Sequence, residues 1–509
     1  MPSRNSLIDS LKRIVGVNNV LTDAEDLYVY SFEHIFREQQ HPRIDAVVKT
    51  RSAEETEKVV KLANKEGLTA IRRGSLKPAK SKVILIDDTA PPDLTVSTKE
   101  TKKKPTAEDI REIHRAGHGT FRNFALALKT FFLNQPASQC QECLTCSGYC
   151  TVAPSFNNIE TWSSKGRTLL MRGLAKGELT LSKKLIDVLY TCSTCGLCFA
   201  ECFQDLKLHE AIIATRRHIT EKGLAPEMFR LSAKNISENG DPSGMPINRR
   251  LSWTQKIPKL SLPKKAEVLY WVGCMTGTRT PNVAKAVANV LNHAKVDFTM
   301  LSEREGCCGY VLLKTGLWDE SKNNAVKLVK LVKETKAEIL VTPCAGCYHA
   351  FNTLYPEMLD VQMPCEVLHS SQLAERLVKD GALEFEGGLS LKVTYHDPCS
   401  LGRHENVYDP PRNILKAIPN LQFFEMPLSR SRARCCGGGG GLWTFKNEVS
   451  MNSAWTRLAN DVAPLDVDAL VTACPLCHLN LHFTSIKKSV PTKIVDIMEV
   501  VESALQKSD

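Results

Sequence analysis

The stretches "REGCCGYVLLKTG" (304–316) and "RARCCGGGGGLWTF" (432–445) are two versions of one text. Each carries an adjacent cysteine pair followed by glycine. A larger pattern recurs around them. The first copy has Cys274, then Cys307 and Cys308, then Cys344 and Cys347; the second has Cys399, then Cys435 and Cys436, then Cys474 and Cys477. The gaps are 32 and 35 residues in the first copy and 35 and 37 in the second. "LVTPCAGC" (340–347) matches "LVTACPLC" (470–477). A period near 130 residues is too long for a solenoid and suits a small domain made twice.

Both copies open on a strand that runs into the first cysteine, "AEVLYWVGC" (266–274) and "LKVTYHDPC" (391–399). Apolar periodicity then predicts helices over 282–294 and 410–418, strands over 296–301 and 421–426, long helices over 319–336 and 448–462, and strands leading into the CxxC pairs. Strands alternating with helices imply parallel sheets with crossover helices. The cysteines then fall at strand ends, where open α/β sheets place their sites. The two copies are expected to face one another across a pseudo-twofold axis.

The chain has 509 residues, 43% of them hydrophobic, enough for several cored domains. The net charge of +10 is modest and partly local, in Lys102, Lys103 and Lys104, so no nucleic-acid partner is expected. No segment approaches the ~20 apolar residues of a membrane span. "MPSRNSLIDSLKRIV" at the start lacks the apolar run of a secretory signal. The expected location is cytoplasmic, with peripheral attachment to the inner face of a membrane permitted. Of 19 cysteines, only Cys365 stands outside a motif, and a buried thiol is the expectation there. In an intracellular chain such groupings read as metal ligands rather than disulfides, structural zinc being the bland alternative.

Residues 44–50 and 68–74 read as strands around a helix that Ser52 caps, with Glu55 at the capping-box position and Gly67 at its end. "RIDAVVKTRSAEETEKVVKLANKEGLTAIRRGS" (43–75) resembles the opening of the FAD-binding domain of glycolate and D-lactate oxidases. In that family the second strand enters a Gly-rich loop that cradles the pyrophosphate. Here Leu76, Lys77 and Pro78 follow Gly74 and Ser75, and the rest of such a domain is missing. FAD is not expected in this chain; a truncated α/β remnant over 1–75, kept for packing or docking, is. Residues 76–105 read as a linker, and helices are expected at "AEDIREIHRAG" and "FRNFALALKTFFL", with His114 and His118 solvated.

Cys140, Cys143, Cys146 and Cys150 follow Cx2Cx2Cx3C, and so do Cys192, Cys195, Cys198 and Cys202. This doubled run is the ligand pattern of bacterial ferredoxins with two cubane four-iron clusters. The first cluster would take Cys140, Cys143, Cys146 and Cys202; the second would take Cys192, Cys195, Cys198 and Cys150. Thr151 and Phe203 stand where the pattern usually has proline. The intervening segments "KGRTLLMRGLAKGEL" and "KKLIDVLYTC" read as helices, so 106–235 is expected to be a helical ferredoxin-type domain. A linker over 236–265 leads to copy 1 (266–385) and copy 2 (386–509).

The doubled C…CCG…CxxC pattern resembles the CCG domain of heterodisulfide reductases. With the ferredoxin motifs ahead of it, residues 135–500 look like the fused D-type subunit. CCG domains also occur in glycolate oxidase iron–sulfur subunits. The resemblance implies a non-cubane four-iron cluster on Cys274, Cys307, Cys308, Cys344 and Cys347. It implies another on Cys399, Cys435, Cys436, Cys474 and Cys477. A disulfide would be cleaved between them, with Cys274, Cys307, Cys308, Cys399, Cys435 and Cys436 as the reactive set. Gly306, Gly309, Gly437 and Gly438 would let backbone N–H groups approach the sulfurs. The run Gly437–Gly441 is no dinucleotide fingerprint, because no strand precedes it at the required spacing. His349, His396, His404 and His478 are candidates to protonate a departing thiolate, His396 first among them. The implied function is an iron–sulfur oxidoreductase subunit that relays electrons to a disulfide. Its donor would be a flavoprotein or other subunit, with a membrane haem b or quinone subunit as a further partner. The alternative is an electron carrier for a flavin-dependent glycolate or D-lactate dehydrogenase.

Overall fold

A computed structural model describes residues 4–31, 44–72, 83–87, 140, 145–257, 265–385 and 388–505. Cys143, His114, His118, Lys102–Lys104 and the helices expected between 107 and 133 lie outside the described residues. The chain forms two compact units, one holding the described residues up to Val188, the other those from Leu189 onward.

In the first unit, β1 (Val20–Leu21), β2 (Ile44–Lys49), β3 (Thr69–Arg72) and β4 (Val83–Asp87) form one sheet in the order β1-β2-β4-β3. β1 runs antiparallel to β2, and β4 runs parallel to both β2 and β3. Helices Arg4–Val15 and Ala53–Lys65 supply Leu11, Val15, Val59 and Ala63 to a core with Val48, Ile84 and Ile86. The Ser52 hydroxyl accepts from Glu55 N at 3.1 Å, whereas the Glu55 carboxylate reaches back to Arg51 N at 2.8 Å, one residue before the capping-box position. β4 corrects the linker reading of 76–105: "VILID" is a central strand between β2 and β3. The run is only five residues long, and the lysine- and proline-rich sequence around it hides it. The fragment packs on the segment after the first cysteine motif. Tyr30 Oη donates to Asp87 at 2.9 Å, and Lys49 Nζ donates to Asn157 O at 3.0 Å. Thr161 Oγ1 donates to buried Asp26 at 2.5 Å.

In the second unit each copy is a four-stranded parallel sheet. Copy 1 comprises β5 (Val268–Tyr270), β6 (Phe298–Thr299), β7 (Ile339–Thr342) and β8 (Glu366–His369), in the order β6-β5-β7-β8. Copy 2 comprises β9 (Lys392–His396), β10 (Gln422–Phe424), β11 (Ala469–Thr472) and β12 (Lys493–Asp496), in the order β10-β9-β11-β12. The first strand of each copy has the second on one side and the third on the other. The topological switch point therefore lies between the strands that deliver the first cysteine and the CxxC pair. The fourth strand of each copy is an addition to what the periodicity predicts; Cys365, half-buried, directly precedes β8.

The two copies meet in a reciprocal way. Helix Pro281–His293 of copy 1 packs on Ile497–Leu505 of copy 2, and Asp409–Ala417 of copy 2 packs on Ser370–Lys379 of copy 1. Asn289 donates to Glu502 at 2.5 Å, and its counterpart Asn413 donates to Glu375 at 2.5 Å. The last helices start alike: His369 N donates to Gln372 at 2.9 Å, and Asp496 N donates to Glu499 at 3.0 Å. Contact i-to-j matched by j-to-i is the mark of a twofold interface. Residues 236–257, expected to be linker, take part in packing: Trp253 is buried in the shared core, and buried Arg250 donates to Gly240 O at 3.2 Å.

Candidate metal centre

The switch points of both copies open on one cavity of about 440 Å³. Nine of the ten CCG cysteines line it: Cys274, Cys307, Cys308, Cys344, Cys347, Cys399, Cys436, Cys474 and Cys477. Sulfurs within a copy are close. Cys274 Sγ is 3.5 Å from Cys307 Sγ, and Cys436 Sγ is 3.1 Å from Cys477 Sγ. The thiols of Cys344 and Cys474, equivalent positions in the two copies, interact directly across the pseudo-twofold axis.

Backbone geometry explains why glycine follows the cysteine pairs. Gly309 N donates to Cys307 Sγ at 3.4 Å, Gly437 N to Cys435 Sγ at 3.2 Å, and Gly438 N to Cys436 Sγ at 3.5 Å. Gly306 instead packs near Gly240 and Leu328, so its N–H role at a sulfur is not seen. Gly273 has φ +82, and a Cβ there would stand 3.4 Å from Cys347 Sγ. The loops are held from behind. Val272 N and Gly273 N donate to the buried Glu305 carboxylate at 3.0 and 2.8 Å. Asn480 donates to Cys436 O at 2.5 Å, and Tyr355 donates to Cys308 O at 2.6 Å. Buried Arg412 forks onto Asp397 at 2.7 and 2.9 Å and onto Glu425 at 2.7 and 2.8 Å, stiffening the turn before Cys399.

The second ferredoxin-type loop is seated on copy 2. Ser193 Oγ lies 3.6 Å from Cys435 Sγ, and the Cys195 and Cys435 thiols interact. The hydrogen bond from Cys435, with help from Arg403, pulls the Cys195 thiol down to about 5 despite its burial. Arg403 donates to Cys195 O at 2.7 Å, and His404 Nε2 donates to Thr194 O at 3.2 Å. Gly440, at φ +61, runs so close that a Cβ would stand 2.6 Å from Ser193 C. Arg216 is fully buried and donates to Leu189 O, Cys192 O, Lys314 O and Gly440 O, joining this loop to both copies. The cysteine pair of copy 1 has no such neighbour among the described residues: Cys307 N donates to Gly240 O at 2.7 Å. In the first unit, Cys140, Cys146 and Cys150 are half-buried, and Arg167 Nη1 lies 3.6 Å from Cys150 Sγ.

The histidines divide. His396 is buried beside Cys436 and Cys477. His349 points away from the cavity, bonded through Nδ1 to Glu405 and through Nε2 to Lys314 Nζ at 3.4 Å. His404 stacks on His349 at 4.9 Å and on His209 at 5.0 Å. His478 lies 4.0 Å from Glu499, and burial pushes its imidazole down to about 4. Sequence reasoning missed Lys314, Tyr310, Arg216 and Arg403. Buried Lys314 is pushed down to about 8 by desolvation, against the opposing pull of Cys399 and of Glu210 and Glu405. Tyr310 Oη meets Ser400 Oγ at 2.8 Å, linking copies at the cavity wall. Arg279 is the one charged side chain among the described residues lining the cavity.

Clustered thiols, N–H donors aimed at sulfur and an almost uncharged wall fit iron–sulfur clusters. Comparison with known proteins agrees. The model of the CCG cysteine-rich domain matches residues 268–352 and 393–482. The chain is similar to the D-type subunit of dihydromethanophenazine:CoB--CoM heterodisulfide reductase from Methanosarcina mazei, with 34% identity over 63% of this chain and 78% of that one. The chain belongs to the family of heterodisulfide reductase D-type subunits. The Methanosarcina acetivorans relative of the same name is 33% identical over the same shares. A fumarate reductase (CoM/CoB) iron–sulfur relative, from Methanothermobacter marburgensis, is 29% identical over 62% of this chain and 61% of that one. As a relative of the heterodisulfide reductase D-type subunits, this chain is an iron–sulfur oxidoreductase subunit. No helix among the described residues is long and apolar enough to cross a membrane.

Proposed function

We propose that the chain reduces a disulfide in the shared cavity, using electrons that enter through the ferredoxin-type cysteines and reach copy 2 first. The carrying observation is the convergence of nine CCG cysteines, from both copies, on one cavity. The five cysteines of each copy would hold one cluster, and the eight ferredoxin-type cysteines two more. Bound there, such clusters supply single electrons, two of which a disulfide requires. The protein's own groups do the rest. N–H donation from Gly309, Gly437 and Gly438 stabilises thiolate at Cys307, Cys435 and Cys436. Met228 and Leu231 line the apolar side of the cavity. Arg279 at the same wall would hold an anionic group of the substrate. The Ser193–Cys435 contact, which has no counterpart among the described residues of copy 1, supports entry at copy 2. Partner subunits would supply the electrons, as the names of the relatives imply for those proteins.

The test is an anaerobic iron and sulfide count with EPR, with and without added thiol under oxidising conditions. About 16 irons per chain, four per cluster over four sites, and a thiol-dependent signal lost in Cys436→Ser are expected. About 8 irons and no such signal would refute chemistry at the CCG sites. One observation favours a second reading, an electron carrier for a flavin-dependent 2-hydroxy-acid dehydrogenase. The fragment resembling that partner's flavin domain is folded as a sheet and packed on 153–188. Cluster reduction by a 2-hydroxy acid in a reconstituted pair would select it.

A further inference from the structure

Position for position, "YWVGC" in copy 1 aligns with "YHDPC" in copy 2, so Trp271 occupies in one copy the place of His396 in the other. Both side chains are fully buried. Their chemistry differs in kind. Indole N–H can only donate a hydrogen bond, whereas a neutral imidazole nitrogen has a lone pair for a metal. A ring nitrogen of His396 and the sulfurs of Cys436 and Cys477 all lie within 4.8 Å of one another. Neither nitrogen of His396 has a hydrogen-bond partner, although burial of an unpaired polar group is costly. The sequence alone makes His396 a proton donor. With no partner at either nitrogen, no hydrogen-bonded path feeds it a proton, and the two thiols it faces are cluster cysteines.

We propose that His396 is an iron ligand of the copy 2 centre, making the two CCG centres inequivalent. The proposal rests on the reading that both CCG sites hold clusters. An N,S,S donor set within 4.8 Å suits a single iron, and imidazole replacing thiolate is known to raise the potential of an iron–sulfur centre. The copy with the histidine is also the one on which the ferredoxin-type loop sits, through Ser193 and Cys435. The centre beside the entry point would therefore hold an electron more readily than its twin, which has Trp271.

The test uses the full chain, anaerobically reconstituted with iron and sulfide, prepared with natural-abundance and with 15N-labelled histidine. Pulsed EPR then reads the nitrogen coupling of each CCG signal. Expected is a coupling of iron-bound-imidazole size on one CCG centre. It should change to the 15N pattern on labelling, be lost in His396→Ala, and be absent from the second centre. The labelled wild type decides the matter even if the variant fails to fold. Full iron loading with no histidine coupling at either centre would overturn this inference and leave the proposed function standing. Coupling that survives in a folded His396→Ala would overturn it as well. About 8 irons per chain, filling two four-iron sites only, would overturn both.

Discussion

Replacing Arg216 by methionine should loosen the joint between the second ferredoxin-type loop and the CCG copies without touching a cysteine. The guanidinium donates to Leu189 O at 3.2 and 2.7 Å, Cys192 O at 2.7 Å, Lys314 O at 2.8 Å and Gly440 O at 2.8 Å. It also lies 4.9 Å from the centre of the Tyr190 ring. Methionine fills much of the space but leaves four carbonyls without this donor. An orphaned buried acceptor costs about 1–3 kcal/mol, and the low end applies because a carbonyl can keep a second partner. Four such groups give about 4 kcal/mol, which is roughly a thousandfold rise in the population of the opened joint. Lysine would recover little, since one ammonium cannot fork across four carbonyls. Hydrogen–deuterium exchange over 189–198 and 437–441 is the assay. Protection should fall by about three orders of magnitude in both segments together. A fall of less than tenfold would show that packing, and not this guanidinium, holds the joint.

Arg412→Met should leave Asp397 buried and unpaired, destabilising copy 2 by about 3–5 kcal/mol; a thermal midpoint of cluster loss unchanged from wild type would contradict this. His369, fully buried at the start of helix Ser370–Lys379, is pushed down to about 4 by burial. An unfolded chain restores the ordinary value near 6.5, so between these pH values the unfolded state binds more protons. Stability is then full above pH ~6.5 and falls by roughly 3 kcal/mol toward pH 4. His369→Gln should flatten that slope in acid-unfolding curves, and an unchanged slope would assign the acid lability elsewhere. Arg279→Met should raise KM for an anionic disulfide while leaving kcat and iron content near wild type; an equal effect on an uncharged disulfide would remove its proposed role.

The CCG architecture was legible because cysteine spacing and apolar periodicity were each written twice. The strands entering Cys274 and Cys399 and the long helices after the cysteine pairs appear where the pattern puts them. β4 was hidden because five apolar residues among lysines and prolines look like an interruption in a linker. Lys314, Arg216 and Arg403 were hidden for another reason. Their partners are backbone carbonyls or residues far along the chain, and no local spacing marks such a bond. Glycine after cysteine was readable at Gly309, Gly437 and Gly438, and it misled at Gly306, which serves packing against Gly240.

The reciprocal Asn289–Glu502 and Asn413–Glu375 bonds make the paired copies a homodimer written on one strand of coding sequence. A true homodimer must change both of its equivalent positions with every mutation. A tandem fusion is released from that constraint, and one half can specialise while its mirror position stays as it was. Tyr310 opposite Gly438, like Trp271 opposite His396, is a difference that only fusion allows to be inherited. Such a protein can separate where charge arrives from where bonds break, although both halves descend from the same fold.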